Sequence, residues 1–359
     1  MMLNMLTKFK DKKILITGNT GFKGSWLTYW LNSYGAKIYG FSDRVITDPS
    51  IYDALGLGEE ITQYWGDIRD YGMLNDAIID CNPDYIFHFA AQSLVAKSYE
   101  NPLETFTTNF NGTLNLLEIV RVANSRVNVV IITSDKSYKN VEQLWGYKED
   151  DLIGGLDPYS ASKSSTEMLI HGYFNSFFKA QNTVRLAVAR AGNVIGGGDW
   201  SDSRLVPDAI RAWSGGHELI IRNPSSTRPW QHVLEPLSGY ILLAINLSES
   251  TNLHGEAFNF GPSSDQDYSV SYLLSRMVTF WPESSWNTLA SDKFYESGLL
   301  KLNCEKAKLM LNWNSALNID ENIEFTMSWY KSFYANKDIK ALTFEQINQY
   351  ESIFKNRNA

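Results

Sequence analysis

The sequence predicts an α/β fold, in which a doubly wound parallel sheet carries a smaller C-terminal lobe. Strand-like and helix-like segments alternate along the first half of the 359 residues. One strand-like run, at 127–133, is apolar almost throughout, as in a parallel strand that is buried on both faces. A glycine-rich turn joins the first strand to the first helix. This alternation is typical of a doubly wound parallel sheet.

The elements follow one another in a regular order. The first strand is predicted at 12–17, and further strands are predicted at 37–41, 85–89, 127–133, 186–190 and 257–260. Helices are predicted between the earlier strands, at 26–34, 73–80, 105–123 and 160–178. From Gly192 the sequence becomes rich in loops, and after Pro262 it becomes helical and aromatic. We interpret these later parts as the smaller lobe.

The glycine-rich turn is the first candidate binding site. It has the pattern Gly18-x-x-Gly21-x-x-Gly24 and lies between a strand and a helix N-terminus. Glycines let the backbone approach a pyrophosphate, and the helix dipole favours negative charge. Lys23 precedes Gly24, the reverse of the order in an NTPase phosphate loop, which disfavours an ATPase or a kinase. A tight turn without a ligand is the alternative.

Tyr159 and Lys163 are the candidate reactive pair. They lie four residues apart on a predicted helix and therefore share one face. A lysine ammonium favours a phenolate, so a tyrosine with an ordinary pKa of about 10 can act as a base near neutral pH. Ser134-Asp135-Lys136 follow the apolar strand, at the sheet edge where ligands of such folds bind. For the Tyr159–Lys163 pair, the alternative is a chance spacing on a surface helix. For Ser134-Asp135-Lys136, the alternative is an ordinary capped turn.

Composition excludes several other classes of protein. The net charge is −8, which gives no basic footprint for nucleic acid or an anionic membrane. No apolar run approaches the ~18 residues of a membrane span, and residues 1–13 lack the pattern of a secretory signal. The two cysteines, Cys81 and Cys304, are far apart and predict neither a disulfide framework nor a metal site. We expect a cytoplasmic enzyme without a metal.

Further motifs occur in a familiar order: Gly66-Asp67-Ile68, His88-Phe89-Ala90-Ala91-Gln92-Ser93 and Thr108-Asn109-x-x-Gly112-Thr113-x-Asn115. With the turn and the reactive pair, they make the chain similar to the extended short-chain dehydrogenase/reductase superfamily over about residues 10–330. Within it, the chain resembles the nucleotide-sugar 4,6-dehydratases. Most of these have Thr-Asp-Glu in place of Ser134-Asp135-Lys136. Lysine there, together with Gly21-Phe22-Lys23-Gly24, is typical of members that act on CDP-glucose.

The resemblance implies NAD as the cofactor and a Rossmann-like domain that binds it. The residues implied are Gly18, Thr20, Gly21, Phe22, Lys23, Gly24, Asp43, Asp67, Ile68, Ala90, Tyr159 and Lys163. Asp43 would hold the ribose diol of NAD, but the adjacent Arg44 could instead accommodate the 2′-phosphate of NADP, and the residues leave this open. For Asp67, a helix cap is the alternative to the adenine pocket.

A CDP-sugar substrate is implied for the second lobe. Arginine forks suit its diphosphate, and the implied residues are Gln92, Ser93, Asn193, Arg204 and Arg228. We therefore predict an NAD-binding domain at 10–191 plus 232–262, a nucleotide-sugar-binding lobe at 192–231 plus 263–335, and a peripheral polar tail at 336–359. His232 is interpreted as a core residue.

By resemblance, the reaction is a dehydration. Tyr159 removes the proton of the 4-hydroxyl with Lys163 beside it, and Ser134 supports the developing carbonyl. Asp135 and Lys136 serve the loss of water across C5 and C6, and the hydride returns from the cofactor to C6. Either neutral Lys136 is the base at C5 and Asp135 the acid, which we favour slightly, or Asp135 is the base and Lys136 stays charged.

Other functions remain as alternatives. A 4-epimerase on the same scaffold needs no acid–base pair for elimination, and a dehydratase could act on a dTDP-, UDP- or GDP-sugar instead. A non-catalytic NAD-binding protein would commonly lack the tyrosine or the lysine. By resemblance, the product would enter deoxysugar synthesis for a surface polysaccharide such as O-antigen.

The helices at 105–123 and 160–178 carry apolar residues on more than one face, including Leu114, Leu116, Leu117, Ile119 and Val120, and predict a homodimer through a four-helix bundle.

Overall fold

A seven-stranded parallel sheet forms the centre of the chain, which confirms the predicted fold class. The structure is a computed structural model that describes residues 6–123, 125–263, 266, 268–289 and 299–358. Within these residues the strands are β1 (Lys13–Thr17), β2 (Lys37–Ser42), β3 (Thr62–Trp65), β4 (Tyr85–His88), β5 (Val127–Ile132), β6 (Val184–Ala191), β7 (Val194–Ile195), β8 (Leu219–Ile221), β9 (Thr227–Arg228), β10 (Gln231–His232), β11 (Ala257–Phe260), β12 (Tyr268–Ser269) and β13 (Trp286–Thr288). The sheet order is β11-β6-β5-β4-β1-β2-β3.

Helices cover both faces of this sheet. Among the described residues the α-helices are α1 (Phe22–Ser33), α2 (Ile51–Ala54), α3 (Tyr71–Cys81), α4 (Val95–Glu100), α5 (Pro102–Phe106), α6 (Gly112–Ala123), α7 (Pro158–Tyr173), α8 (Leu205–Ser214), α9 (Leu234–Glu249), α10 (Val270–Val278), α11 (Glu305–Leu311), α12 (Ile319–Tyr334) and α13 (Ile339–Arg357). Side chains alternate along each strand. Ile14 and Ile16 of β1 therefore join the same apolar core as Trp26 of α1, whereas Leu15 joins a second core with Leu116 of α6.

The strand order reverses between β1 and β4. In the register of these parallel strands, Thr17 lies opposite His88, and His88 lies opposite Ile131. The carboxyl ends of β1, β4 and β5 are thus level with one another. A ligand cleft is expected at this edge, where the chain leaves adjacent strands in opposite directions.

The two long predicted helices are present but contain π-helical turns. The segment predicted at 105–123 consists of α5, a π-helix at Thr107–Asn111, and α6. The helix predicted at 160–178 is α7, which continues into a π-helix at Phe174–Phe178. Such turns widen a helix locally and occur often at functional sites. The first of them carries Asn109, whose amide oxygen accepts from the backbone N–H of Gln92 at 2.8 Å.

Short elements build the part of the chain predicted as the smaller lobe. β7 pairs with β10, β9 with β12 and β8 with β13, and α8 and α10 pack beside them. These elements follow β6 in the chain, and β7, β8, β9, α8 and α10 contribute residues to the wall of the cleft. The predicted limits of the NAD-binding domain and of the lobe stay a prediction.

The segment at 336–359 is not the peripheral tail that its polar composition predicted. Its helix α13 buries Ile347, Tyr350 and Phe354 in the same core as the sheet. Spacings of three and four residues place these side chains on one face, so a mostly polar helix still has an apolar stripe. Glu351 on that helix accepts hydrogen bonds from Trp30 Nε1 at 2.8 Å and from the Tyr34 hydroxyl at 2.6 Å.

We predict that Tyr350→Ala lowers the free energy of unfolding by about 3–5 kcal/mol, because it empties a fully buried site. Phe344→Ala on the same helix is the matched control. Phe344 is 42% exposed, so its loss should change the stability by about 0.5 kcal/mol or less. Chemical denaturation followed by circular dichroism measures both. An effect of Tyr350→Ala as small as that of Phe344→Ala would show that α13 is peripheral after all.

Candidate active site

The glycine turn at the end of β1 closes against the end of β4. Gly18 has a φ of +72°, which favours glycine, and a Cβ atom on it would lie 2.8 Å from the backbone nitrogen of Ala90. A Cβ atom on Gly24 would lie 2.2 Å from the Gly18 carbonyl oxygen. Gly21 is the N-cap of α1 and has no side chain to cover the helix N-terminus. The turn therefore fits a pyrophosphate on the first N–H groups of α1.

A single large cleft extends from this turn. It has a volume of about 1270 Å³, which is above the ~300–1,000 Å³ of most small-ligand sites. All the predicted site residues line it, at both the glycine turn and the lobe. The cleft has room for a dinucleotide and a second ligand side by side.

Two charged side chains after β2 lie at the far end of the cleft. Asp43 and Arg44 are exposed, and their carboxylate and guanidinium groups are 3.7 Å apart. The hydroxyl of Thr20 in the glycine turn donates to the Arg44 carbonyl at 2.7 Å. This bond fixes the backbone that carries Asp43 and Arg44 relative to the turn, so both are placed for the ribose of a dinucleotide.

Asp67 does not cap a helix. The N-cap of α3 is Asp70, whose side chain accepts a backbone hydrogen bond in the first turn. The Asp67 carboxylate instead accepts from Arg69 Nε at 2.9 Å, and this guanidinium lowers its pKa. Asn115 Nδ2 donates to the carbonyl of Ile68 at 3.1 Å. The helix-cap alternative is therefore wrong, and the Asp67-Ile68 pair is held at the cleft wall.

Tyr159 and Lys163 are both buried on α7, at 7% and 6% exposure. Burial raises the pKa of Tyr159 to about 12, while the Ser134 hydroxyl and the Arg204 guanidinium act in the opposite direction. Burial also lowers the pKa of Lys163 to about 8. The sequence predicted that the Lys163 ammonium favours the phenolate, whereas burial acts on Tyr159 in the opposite direction, because loss of solvent disfavours the charged form of the phenol.

The segment after β5 brings the acid of the site to the same edge. The Ser134 hydroxyl donates to Asp135 Oδ1 at 3.0 Å and accepts from the backbone N–H of Lys136 at 3.2 Å. Asp135 is 3% exposed, and burial raises its pKa against the effect of the Lys136 ammonium. Its Oδ2 has no hydrogen-bond partner among the described residues. A Cβ atom on Gly192 would lie 2.9 Å from this oxygen, so only glycine there leaves the carboxyl in place.

Lys23 extends from α1 toward the reactive side chains. Burial, together with the cations of Arg204 and Lys163, lowers its pKa to about 8, and the carboxylates of Asp135 and Asp199 act against this shift. The sequence placed Lys23 in the cofactor site alone. The structure places its amine within electrostatic reach of Asp135 and Lys163.

Gln92 holds the turn after β4 through its side chain. Its amide nitrogen donates to the Leu94 carbonyl at 3.0 Å and to the Thr105 hydroxyl at 2.8 Å. Its amide oxygen accepts from the Leu94 N–H at 2.6 Å. Both N–H groups are thus used within the chain, and Gln92, which lines the cleft, stays a predicted substrate-binding residue.

Arg204 lines the cleft and is paired with a buried carboxylate. Its guanidinium donates to the buried carboxylate of Asp199 at 2.9 Å and to the Ser93 hydroxyl at 3.2 Å. Its charge also lowers the pKa of Tyr159. Arg204 and Ser93 therefore border the reaction end of the cleft.

Arg228 and Asn193 line the lobe side of the cleft. Arg228 is in β9, is 8% exposed, and donates through Nη1 to the Thr227 carbonyl at 2.7 Å. Asn193 follows β6, and its carbonyl accepts from the Gln231 N–H at 3.1 Å. A buried guanidinium at this wall is suited to an anionic group.

Sequence reasoning missed three residues that shape the site. Asn109 was quoted in a motif without a role, and its amide joins the Gln92 turn to Ser162 of α7 at 2.8 Å. Asp199 follows a run of three glycines, and nothing in that sequence indicated that it would be the buried partner of an arginine. Glu167 lies four residues after Lys163, the same spacing that singled out Lys163 itself.

The described part of the chain offers neither a metal centre nor a membrane-spanning helix. Among its residues, no group of three His, Cys, Asp or Glu side chains could hold a metal ion. None of the helices described here is long and apolar enough to cross a membrane.

The chain belongs to the GDP-mannose 4,6-dehydratase family, because residues 15–326 match the model of that family. This confirms the resemblance to nucleotide-sugar 4,6-dehydratases. Among similar proteins, the CDP-glucose 4,6-dehydratase of Salmonella typhimurium is 42% identical over 349 residues, which cover 96% of this chain and 97% of that protein. The CDP-paratose 2-epimerase of Salmonella typhi is 26% identical and covers 89% of this chain and 99% of that protein.

Solved structures show the same fold. The epimerase Mth375 of Methanothermobacter thermautotrophicus superposes with a TM-score of 0.81 at 22% identity, covering 94% of this chain and 97% of that one. The dTDP-glucose 4,6-dehydratase of Bacillus anthracis in complex with NAD superposes with a TM-score of 0.73 at 23% identity, covering 92% of this chain and 99% of that one.

We predict that Gly24→Ala weakens NAD binding at least about tenfold, or ~1.4 kcal/mol, since its Cβ would force the turn open. Gly72→Ala is the control, because a Cβ there makes only an ordinary contact, 3.4 Å from Asp70. Titration calorimetry on both variants measures the affinity. Unchanged affinity in Gly24→Ala would remove the glycine turn from the dinucleotide site.

Proposed function

We propose that this chain is an NAD-dependent lyase that converts CDP-glucose to CDP-4-keto-6-deoxyglucose. One observation carries the proposal. The oxidising pair Tyr159 and Lys163 and the elimination candidates Asp135 and Lys136 meet at one sheet edge beside the glycine turn. The similarity to the Salmonella typhimurium enzyme over nearly the whole chain supports the same reaction and substrate. By the same resemblance, we place the chain in the cytoplasm, in deoxysugar synthesis for a surface polysaccharide such as O-antigen.

The first half of the reaction oxidises C4 of the glucosyl ring. The glycine turn would hold NAD, which would supply the hydride acceptor for C4 and the hydride donor for C6. Tyr159 removes the proton of the 4-hydroxyl, and the Ser134 hydroxyl donates toward the same oxygen as it becomes a carbonyl. Because burial raises the pKa of Tyr159, its phenolate depends on the Ser134 hydroxyl and the Arg204 cation, which lower that pKa.

The second half removes water across C5 and C6. The C4 carbonyl acidifies the C5 proton, a base takes that proton, and an acid protonates the leaving C6 hydroxyl. Burial raises the pKa of Asp135, which favours its protonated form and suits it to be the acid. Lys136 is then the base at C5. The difference in burial supports this assignment over its reverse, because Asp135 is more deeply buried than Lys136.

An epimerase is the second candidate, since several similar proteins carry that name. An epimerase returns the hydride to C4 and loses no water, so it needs no acid for a leaving hydroxyl. The buried carboxyl of Asp135, with Gly192 leaving room for it, supplies such an acid. We therefore favour the dehydratase.

Product mass tests the proposed function. We predict that the purified protein turns over CDP-glucose to a product lighter by one water, and that dTDP-, UDP- and GDP-glucose are poor substrates. Mass spectrometry of each incubation gives the result. Efficient turnover of dTDP-glucose without turnover of CDP-glucose would overturn the substrate, and a product of unchanged mass would favour the epimerase.

The two elimination residues can be separated by exchange at C5. Lys136→Met should still form reduced cofactor but should not exchange solvent deuterium into C5, whereas Asp135→Asn should exchange C5 and stall before water loss. Each should slow turnover by about 100-fold or more, the usual contribution of a general acid or base. If Lys136→Met exchanges C5 rapidly and Asp135→Asn does not, the roles are reversed.

We also propose a homodimer through α6 and α7, but on other residues than the sequence suggested. Leu116, Leu117 and Ile119 of α6 are fully buried against the sheet of their own chain. The exposed apolar side chains on these helices and their extensions are Leu103, Val122, Met168 and Phe177, at 74%, 59%, 70% and 47% exposure. Large apolar side chains exposed on adjacent helices are typical of a protein interface.

We predict that Leu103→Glu with Met168→Glu converts the dimer to a monomer, because charges would be buried at its centre. Leu309→Glu is the control, since Leu309 is 80% exposed on the separate helix α11. Light scattering at micromolar concentration gives the mass. A monomeric unmodified protein would refute the dimer.

A further inference from the structure

A buried ion pair lies beneath the catalytic segment and has no role in the reaction derived above. Glu167 and Arg190 are 5% and 3% exposed. Arg190 donates through Nε to Glu167 Oε1 and through Nη2 to Oε2, both at 2.8 Å. This fork is the strong geometry for a guanidinium and a carboxylate. Burying two charges is costly, and such a pair is weak as a simple stabilising device.

The same carboxylate binds both sides of the segment that carries Ser134 and Asp135. The hydroxyl of Thr133, at the end of β5, donates to Oε1 of Glu167 at 2.5 Å. The hydroxyl of Ser137 lies 3.3 Å from that oxygen and 2.6 Å from the Ser134 carbonyl. Glu167 thus fixes the position of residues 133–137 relative to α7.

Glu167 also faces the reactive lysine. Tyr159, Lys163 and Glu167 follow each other at intervals of four residues and lie along one face of α7. Burial lowers the pKa of Lys163, and the Glu167 carboxylate is the group that acts against this shift. The other charged or titratable groups whose pKa responds to Lys163 are Lys23 on α1 and His88 on β4.

Neither of those two groups can take the place of Glu167. Lys23 is a cation and opposes the charge of Lys163. Burial holds the pKa of His88 at about 3, so its ring is neutral in the working range of pH. On the far side of Glu167, Arg190 is the facing cation, and it also donates to the Tyr138 hydroxyl at 2.7 Å and to the Glu149 carbonyl at 2.9 Å.

We propose that Glu167, held by Arg190, is a positioning residue for the oxidation of C4: it aligns Ser134 with Tyr159 and keeps Lys163 in its ammonium form. This inference rests on the proposed function, because it assigns Glu167 a part in that reaction. Two separable effects follow. One is geometric and acts through Thr133 and Ser137, and the other is electrostatic and acts on Lys163.

Two variants separate these effects. Glu167→Gln keeps the shape of the side chain and removes its charge, so the pKa of Lys163 should fall further below about 8. Lys163 then loses its proton at a lower pH. The pH above which C4 oxidation slows, its alkaline limit, should therefore fall by about one unit or more. Thr133→Val removes one hydrogen bond without a change of charge. It should slow the oxidation and leave the alkaline limit where it is.

Rapid mixing with CDP-glucose, followed by the absorbance of reduced nicotinamide across pH, measures both effects. At neutral pH we expect Glu167→Gln to be slower by at least about tenfold. Asp320→Asn is the control, because it removes one partner of the exposed ion pair between Asp320 and Arg276. It should change neither the rate nor the limit. A folded Glu167→Gln protein with an unchanged alkaline limit would overturn the proposal.

A second readout does not depend on turnover. Competitive labelling with an amine reagent, mapped to Lys163 by mass spectrometry across pH, gives the titration midpoint of that side chain. We expect a lower midpoint in Glu167→Gln than in the unmodified protein, and equal midpoints contradict the proposal. If Glu167→Gln fails to fold because Arg190 is left unpaired, the double variant Glu167→Gln with Arg190→Met removes both charges. Its midpoint should still lie below that of the unmodified protein, but by less than in Glu167→Gln alone, because loss of the Arg190 cation acts in the opposite direction. If the unmodified protein oxidises no nucleotide sugar, the proposed function fails, and the labelling still decides the role of Glu167.

Discussion

The contact between Gly18 and Ala90 is the constraint on which the rest of the site depends. It lies where the strand order reverses between β1 and β4, and there is no room in it for a side chain at Gly18. Because the sheet is parallel, the ends of β4 and β5 are level with this turn. The residues that follow β5 and the face of α7 with Tyr159 therefore meet beside the turn, rather than elsewhere on the molecule.

Burial away from solvent is the physical effect that sets the protonation of the side chains at this edge. Burial raises the pKa of Tyr159 and of Asp135, and it lowers the pKa of Lys163 and of Lys23. All four shifts favour the neutral form of the side chain. The proposed oxidation needs Tyr159 as a phenolate and Lys163 as an ammonium, so charged groups such as Glu167 are needed to restore charge at Lys163.

The sequence could predict features that depend on local spacing. The glycine turn and the Tyr159–Lys163 pair were found in this way, as was the parallel sheet. Features that depend on tertiary burial could not be predicted. The direction of the Tyr159 pKa shift depends on how much protein surrounds the phenol, and the role of Gln92 depends on Thr105 lying within 2.8 Å of its amide. The packing of α13 was missed because its apolar stripe is narrow within a polar segment.

In the proposed reaction, one cleft oxidises C4, eliminates water and returns the same hydride to C6. The fate of that hydride can be followed with CDP-glucose that carries deuterium at C4, with the position of the label in the product read by NMR. We expect a product that lacks one water and carries the deuterium at C6. A product with the deuterium still at C4 and no loss of water would contradict it.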